Sequence, residues 1–193
     1  GGYLTSWKEG FSRTRRSVCR LTGHVIDAFV NYGVDAVAVE MFPSTTAMPH
    51  KILDVGNLDS VRNLLDRGFT PVLHGDAVLW APDISDVKRC TILSGDTIME
   101  YLCEVLKPDA AVFLTDVAGV YDRAPLPGSQ ARLLSRIEVD NNGMIVNMKL
   151  PETTIQAHDV TGGILGKIQS ASLIASTGCP VYICQIASAH AAQ

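Results

Sequence analysis

The sequence predicts one α/β domain in which a largely parallel sheet is covered by helices on both faces. Its 193 residues are enough for one sizeable core, and its composition gives no sign of two independent ones. Hydrophobic residues make up 47% of the chain and charged residues 19%, which is typical of a globular protein. Segments with strand character alternate with helical ones at least four times, the pattern of a parallel sheet with crossover helices. We expect the domain to span residues 1–193.

Apolar periodicity and stop signals predict the individual elements. Between residues 15 and 32, apolar side chains recur at three- and four-residue steps, which indicates an amphipathic helix. Residues 42–56 and 122–130 are rich in proline and glycine and are predicted as loops, and 80–88 as a polar excursion. The predicted elements are, in order, helix 15–32, strand 34–39, helix 58–67, strand 71–73, a strand before 94, a helix ending at 106, strand 110–114, a peripheral hairpin 132–139 with 144–148, helix 164–176 and strand 181–186.

Charge and cysteine usage exclude several classes of protein. The formal net charge is −4 and no dense block of lysine and arginine occurs, which argues against a nucleic-acid partner. Arg13, Arg15 and Arg16 form the one basic cluster; a solvated helix start explains it better than a polyanion site, although a single small anion could still use it. Five cysteines without CxxC spacing suggest neither zinc nor disulfides, and no metal ligands are assigned. No apolar run approaches a membrane span, so we expect a cytoplasmic protein.

Polar residues follow three of the predicted strands. The motifs are His74-Gly75-Asp76, Ser94-Gly95-Asp96 and Thr115-Asp116, each where its strand ends. Open α/β sheets bind ligands at the carboxyl ends of their strands. Each motif alone is more often a simple turn, but their repetition favours a site. Asp96 is the better candidate to orient a lysine or to bind Mg²⁺ through water.

A glycine-rich segment precedes the last predicted helix. Thr161, Gly162 and Gly163 would leave backbone N–H groups open at a helix start, where the helix dipole favours an anion. Lys167 lies about one turn further along the same face. The segment is therefore a candidate phosphate site, and a glycine-rich turn beside a solvent lysine explains it equally well.

Five ordered blocks carry a resemblance that covers most of the chain. They are residues 10–15 (GFSRTR), 71–78 (PVLHGDAV), 90–96 (CTILSGD), 112–123 (VFLTDVAGVYDR) and 157–167 (AHDVTGGILGK). With them the sequence resembles the amino acid kinase superfamily and, within it, the isopentenyl phosphate kinases of eukaryotic type. The resemblance implies a three-layer αβα sandwich that binds ATP with Mg²⁺. It also implies transfer of the γ-phosphoryl group to isopentenyl phosphate, a step in isoprenoid synthesis, by a homodimer.

The resemblance also implies roles for individual residues. Lys167 would stabilise charge on the transferred phosphoryl group and Asp96 would orient catalytic lysines. The implied nucleotide contacts are Thr115, Asp116, Gly119, Val120, Tyr121, Gly163 and Lys167. The implied acceptor side consists of Gly95, which would contact the substrate phosphate, together with Phe11, Thr14, Arg15, Gly75 and Asp76.

The chain departs from the family pattern in two motifs. It contains neither the Lys-x-Gly-Gly-Ser motif nor the glycine-rich segment with an acceptor-binding histidine. We therefore expect an incomplete domain, shortened at both ends, with little or no kinase activity on its own. One alternative is a kinase of the same superfamily that acts on another small phosphate, a phosphonate or a carboxylate. The other is a non-catalytic module for nucleotide binding or dimerisation.

Overall fold

A computed structural model describes most of the chain. The described residues are 7–42, 45–48, 51–55, 57–79, 90–123, 128–147 and 163–187, with the backbone alone for 45–48 and 51–55. The Cα positions divide into two compact units, Gly1–Ile98 and Met99–Gln193. The predicted excursion 80–88, as well as Thr161 and Gly162, lies outside the described residues.

The first unit begins with a long helix and continues with short strands around a second helix. Helix α3 starts in this unit and ends in the second. The elements of the first unit are α1 Trp7–Asn31, β1 Ala36–Ala38, β2 Thr45–Met48, β3 Lys51–Val55, α2 Leu58–Asp66, β4 Thr70–Val72, β5 Asp76–Leu79 and β6 Cys90–Leu93. They are followed by α3 Gly95–Leu106, β7 Ala111–Thr115, α4 Gly163–Ser176 and β8 Val181–Gln185.

Two strand pairs are parallel, and these confirm the predicted α/β class. Strand β1 pairs with β4 in the first unit, and β7 pairs with β8 in the second. Each parallel pair is joined through a helix, α2 or α4, as a parallel connection requires. The pairs β2–β3 and β5–β6 are antiparallel, and neither pair was predicted from the sequence.

The core of the second unit packs α3 and α4 against the β7–β8 pair. Along β7 the side chains alternate, because successive residues of a strand point to opposite faces: Ala111 and Phe113 are buried, whereas Val112 and Leu114 are exposed. Burial raises the pKa of the Cys103 thiol to about 11, so this thiol stays protonated. The buried cluster consists of Cys103, Ala111, Phe113, Ala171, Ile174 and Cys179.

Three predicted elements are wrong in part. Helix α1 begins at Trp7 and not near 15, because Trp7 and Phe11 continue its apolar face despite the intervening glycine. The predicted loop 42–56 contains the hairpin β2–β3, whose first strand includes the strand-favouring Thr45 and Thr46. The predicted hairpin of 132–148 is reduced to one bridge, Val139 to Ile145, around a turn at 140–143.

Candidate active site

Gly75 and Gly95, two of the predicted acceptor residues, lie in direct contact in the first unit. A Cβ atom built on Gly75 would lie 2.9 Å from the Leu93 carbonyl oxygen and 3.1 Å from the Gly95 nitrogen. Both neighbours are backbone atoms, so position 75 accepts no side chain without a shift of the chain. Two of the three polar motifs that follow predicted strands are therefore in contact.

The start of helix α3 is capped by its own sequence. The Thr97 N–H donates to Ser94 Oγ at 3.1 Å, and the two hydroxyl oxygens lie 2.9 Å apart. Serine is a favoured N-cap because its oxygen satisfies a backbone donor that has no partner within the helix. Asp96 lies in this first turn, partly exposed, where a carboxylate is favoured by the helix dipole. The backbone N–H groups at the start of α3 therefore lie next to the contact between Gly75 and Gly95.

Asp76 begins strand β5 and is buried. The Ala77 N–H donates to Asp76 Oδ1 at 2.7 Å, and Arg15 Nη1 donates to Oδ2. Burial raises the pKa of Asp76 above its ordinary value of 3.8, and this effect is opposed by the Arg15 charge and by the Ala77 N–H. The sequence placed Asp76 at a strand exit, whereas the structure places it inside a strand pair.

Aromatic rings line one face of α1. Phe11 meets Phe42 edge to face with ring centroids 5.3 Å apart, and Trp7 meets Phe11 at 6.5 Å. Such edge-to-face pairs stabilise beyond the area they bury. Sequence reasoning named Phe11 and missed Phe42. No local motif marks Phe42, because its partners are on a distant helix.

His74 directly precedes Gly75 and was not among the predicted site residues. Its Nδ1 lies 3.0 Å from the Gly75 carbonyl oxygen, which can only accept, so Nδ1 carries the proton. The other ring nitrogen, Nε2, is buried and has no hydrogen-bond partner within the part of the chain that the structure describes.

Five of the seven predicted nucleotide-binding residues form the loop after β7. Thr115 Oγ1 donates to the Val117 carbonyl at 2.6 Å, and Gln185 Nε2 donates to the Asp116 carbonyl at 3.2 Å. These bonds fix the first turn of the loop against the end of β8.

The remainder of this loop is held by Gly119, Val120 and Tyr121. Gly119 adopts a φ of +146°, a conformation that L side chains rarely adopt. Val120 is buried, and its carbonyl accepts from the Leu134 N–H at 2.8 Å. Tyr121 forms a bridge to Leu133. These five residues therefore lie together at the carboxyl end of β7, whereas Gly163 and Lys167 lie on α4.

Lys167 lies in the first half of α4, which begins at Gly163 as the glycine-rich pattern predicted. Its Nζ is 5.1 Å from the centroid of the Phe113 ring on β7. Phe113 is two residues before Thr115, so Lys167 is close to the strand that carries the loop. Ser170, one turn on, donates to the Glu100 carboxylate and ties α4 to α3. The structure thus places Lys167 against β7, the strand that ends at Thr115 just before Asp116.

A cavity of about 600 Å³ lies elsewhere in the first unit, between the end of β1 and α2. None of the predicted site residues is among its described lining. It is lined by Ala38, Val39, Glu40, Asn57, Ser60, Asn63, Leu64 and Arg67. Over the residues that the structure describes, no cluster of three or more His, Cys, Asp or Glu side chains could hold a metal ion. No described helix combines the length and apolarity needed to cross a membrane.

Comparison with known proteins identifies the family. The amino acid kinase family model matches residues 3–185, and the chain belongs to this family. Among curated proteins, the isopentenyl phosphate kinase of Arabidopsis thaliana is 40% identical over 192 residues, covering 95% of this chain and 56% of that protein. The isopentenyl phosphate kinase of Methanothermobacter thermautotrophicus is 33% identical over 170 residues, covering 88% and 60%.

A solved structure of an isopentenyl phosphate kinase supports the same relationship. It superposes with a TM-score of 0.72 at 29% identity and covers 94% of this chain and 63% of that structure. The chain therefore spans a little over half the length of the curated relatives that it matches.

Proposed function

We propose that the protein carrying this chain transfers the γ-phosphoryl group of ATP to isopentenyl phosphate and so makes isopentenyl diphosphate. The observation that carries this proposal is the contact of Gly75 with Gly95 at the capped start of α3. It offers backbone donors where a side chain would block an approaching phosphate. The similarity to curated isopentenyl phosphate kinases over nearly the whole chain supports the choice of acceptor.

On the acceptor side, Gly95 would bind the substrate phosphate through its backbone. Phe11, on the aromatic face of α1, would contact the five-carbon tail, because an apolar ring stabilises an alkenyl chain removed from water. Thr14 follows on the same helix, and Gly75 gives the backbone room to approach. This division suits a substrate with one charged end and one apolar end.

On the nucleotide side, the loop residues Thr115, Asp116, Gly119, Val120 and Tyr121 would contact ATP. Gly163 opens the helix that carries Lys167. The lysine ammonium would stabilise the charge that spreads over the phosphoryl oxygens in the transition state.

Asp96 would orient the catalytic lysines around the transferred phosphoryl group. Mg²⁺ would bind mainly to the ATP phosphates and to water, because it usually takes only one or two carboxylate ligands from a protein. Asp96, in the first turn of α3, is the carboxylate suited to it through water. We also propose a cytoplasmic homodimer.

The test measures ADP release by the complete natural protein with ATP, Mg²⁺ and isopentenyl phosphate, and the 193-residue chain is assayed in parallel. We expect turnover by the complete protein and little or none by the chain alone. Lys167→Met should lower kcat by on the order of 100-fold or more, as loss of a preorganised charge does. Lys107→Met, in the same unit and exposed, is the matched control.

Acceptor preference separates this proposal from its alternatives. Faster turnover of fosfomycin or of an amino acid would show a different acceptor. ATP binding by calorimetry without any turnover by the complete protein would instead favour a non-catalytic nucleotide-binding module.

A further inference from the structure

Arg15 joins three parts of the first unit. Its Nη1 donates to Asp76 on β5, and its Nη2 lies 2.8 Å from Glu40 Oε2, two residues beyond β1. The guanidinium carbon is 4.4 Å from the centroid of the Phe42 ring. The Arg15 side chain is only 17% exposed. Both terminal nitrogens and one face of this arginine are therefore already engaged.

The charges around Arg15 disfavour a direct role in phosphate binding. One guanidinium lies between two carboxylates, those of Asp76 and Glu40. A phosphate brought to Arg15 would meet both carboxylates as well, and like charges at such distances repel. Asp76 has no exposed side-chain surface, and both of its oxygens already accept hydrogen bonds. Arg15 and Asp76 are therefore both engaged with protein groups, and neither is placed to bind a phosphate.

We propose that Arg15 and Asp76 are a positioning pair for the acceptor side of the site and that neither contacts the acceptor. This inference rests on the proposed function and replaces the direct contacts that the resemblance implied. Asp76 directly follows Gly75, whose backbone packs on Gly95. Arg15 is one helical turn after Phe11 on α1. The ion pair thereby sets the position of the aromatic face relative to the Gly75–Gly95 contact.

The first test needs no ligand and measures amide hydrogen exchange on the complete protein. Arg15→Met and Asp76→Asn should each speed exchange around Phe11 and in the first turn of α3. The expected change is roughly tenfold or more, because a hydrogen bond to a charged group is typically worth that much. Arg16→Met removes an exposed arginine next in sequence and should leave both regions unchanged.

The outcomes of this test are distinct. Unchanged exchange in the first turn of α3 with Arg15→Met would overturn the proposal. If Arg15→Met does not fold, Arg15→Lys serves in its place, since lysine can pair with Asp76 but lacks the fork that also reaches Glu40. A smaller increase in the same two regions is then expected, and no increase in either would overturn the proposal.

The second test separates positioning from direct contact by calorimetric titration with isopentenyl phosphate. For a positioning pair, Arg15→Met and Asp76→Asn should weaken binding similarly, by about tenfold, and the double variant should be no weaker than either. ATP affinity should stay unchanged. If Arg15 instead binds the phosphate, Asp76→Asn would leave affinity unchanged or raise it, and this result would overturn the proposal.

The two tests also distinguish this proposal from the proposed function. Exchange coupling in a protein that binds no isopentenyl phosphate would support the pair and overturn the assigned substrate.

Discussion

Replacing Gly75 by alanine should destabilise the protein, because the added methyl group meets backbone on two sides. The Leu93 carbonyl oxygen would lie 2.9 Å from the new Cβ and must retreat by about half an ångström to reach ordinary contact. This oxygen belongs to β6, and the second neighbour, the Gly95 nitrogen, opens α3. Neither can rotate away as a side-chain end would. Overpacking of this kind typically costs about 1–3 kcal/mol, and we expect about 2–3 kcal/mol for Gly75→Ala.

Urea and thermal unfolding, followed by circular dichroism, measure this cost. For a chain of this size, 2–3 kcal/mol corresponds to a fall in Tm of roughly 5–10 °C. Gly23→Ala is the matched control, because position 23 lies in α1 with no atom within 4 Å of its added Cβ. It should raise the free energy of unfolding by about 0.5–1 kcal/mol through helix propensity. A Gly75→Ala protein as stable as the native one would refute the close contact of Gly75 with Leu93 and Gly95.

Three further predictions concern the nucleotide loop, the second core and the buried carboxyl. Gly119→Ala should lower the free energy of unfolding by about 1–3 kcal/mol, because position 119 has a φ of +146° and the added Cβ would lie 3.2 Å from the Leu133 side chain. Equal urea midpoints for the variant and the native protein would contradict this. Ile174→Ala should cost about 2–5 kcal/mol in urea unfolding, whereas the half-exposed Leu173→Ala should cost much less; equal losses would contradict the assigned burial. Burial raises the pKa of Asp76 in the folded state, so the unfolded chain loses this proton at a lower pH than the folded protein does. The stability advantage of the native protein over Asp76→Asn should therefore shrink as pH rises from 4 to 7. An advantage that grows would show that the Arg15 charge affects the Asp76 pKa more than burial does.

The sequence predicted the helices and parallel strands because their signals are local. Helices α2, α3 and α4 follow from apolar periodicity ended by glycine or proline, and strands β7 and β8 from short apolar runs. The hairpin β2–β3 was missed because proline and serine next to its strands are typical of loops. Strand β5 was missed because its first residue is Asp76, and a charged residue rarely begins a buried strand unless a distant partner compensates it.

The candidate site was predictable where it consists of motifs and not where it depends on pairing in space. The sequence placed Gly75 and Gly95 at consecutive strand ends, and in the structure they meet. Lys167 was correctly placed in the first half of a helix that begins with glycine. Glu40 and Phe42 carry no local signal, since each gains its importance from Arg15 on a different element. The roles of Gly75, Gly95 and Lys167 in binding and catalysis stay predictions.

Arg15 shows why a local count of charge misjudges a residue. Beside Arg13 and Arg16 it was better explained as part of a solvated helix start than as a polyanion site, and those two arginines are indeed exposed. Helical spacing already separates them, because Arg15 shares a face with Phe11, Val18 and the buried Thr22. An arginine on the buried face of a helix requires a carboxylate partner from elsewhere in the fold, since an unpaired buried charge costs more than the helix gains. The burial of Asp76 in β5 makes the pair a link between this strand and α1.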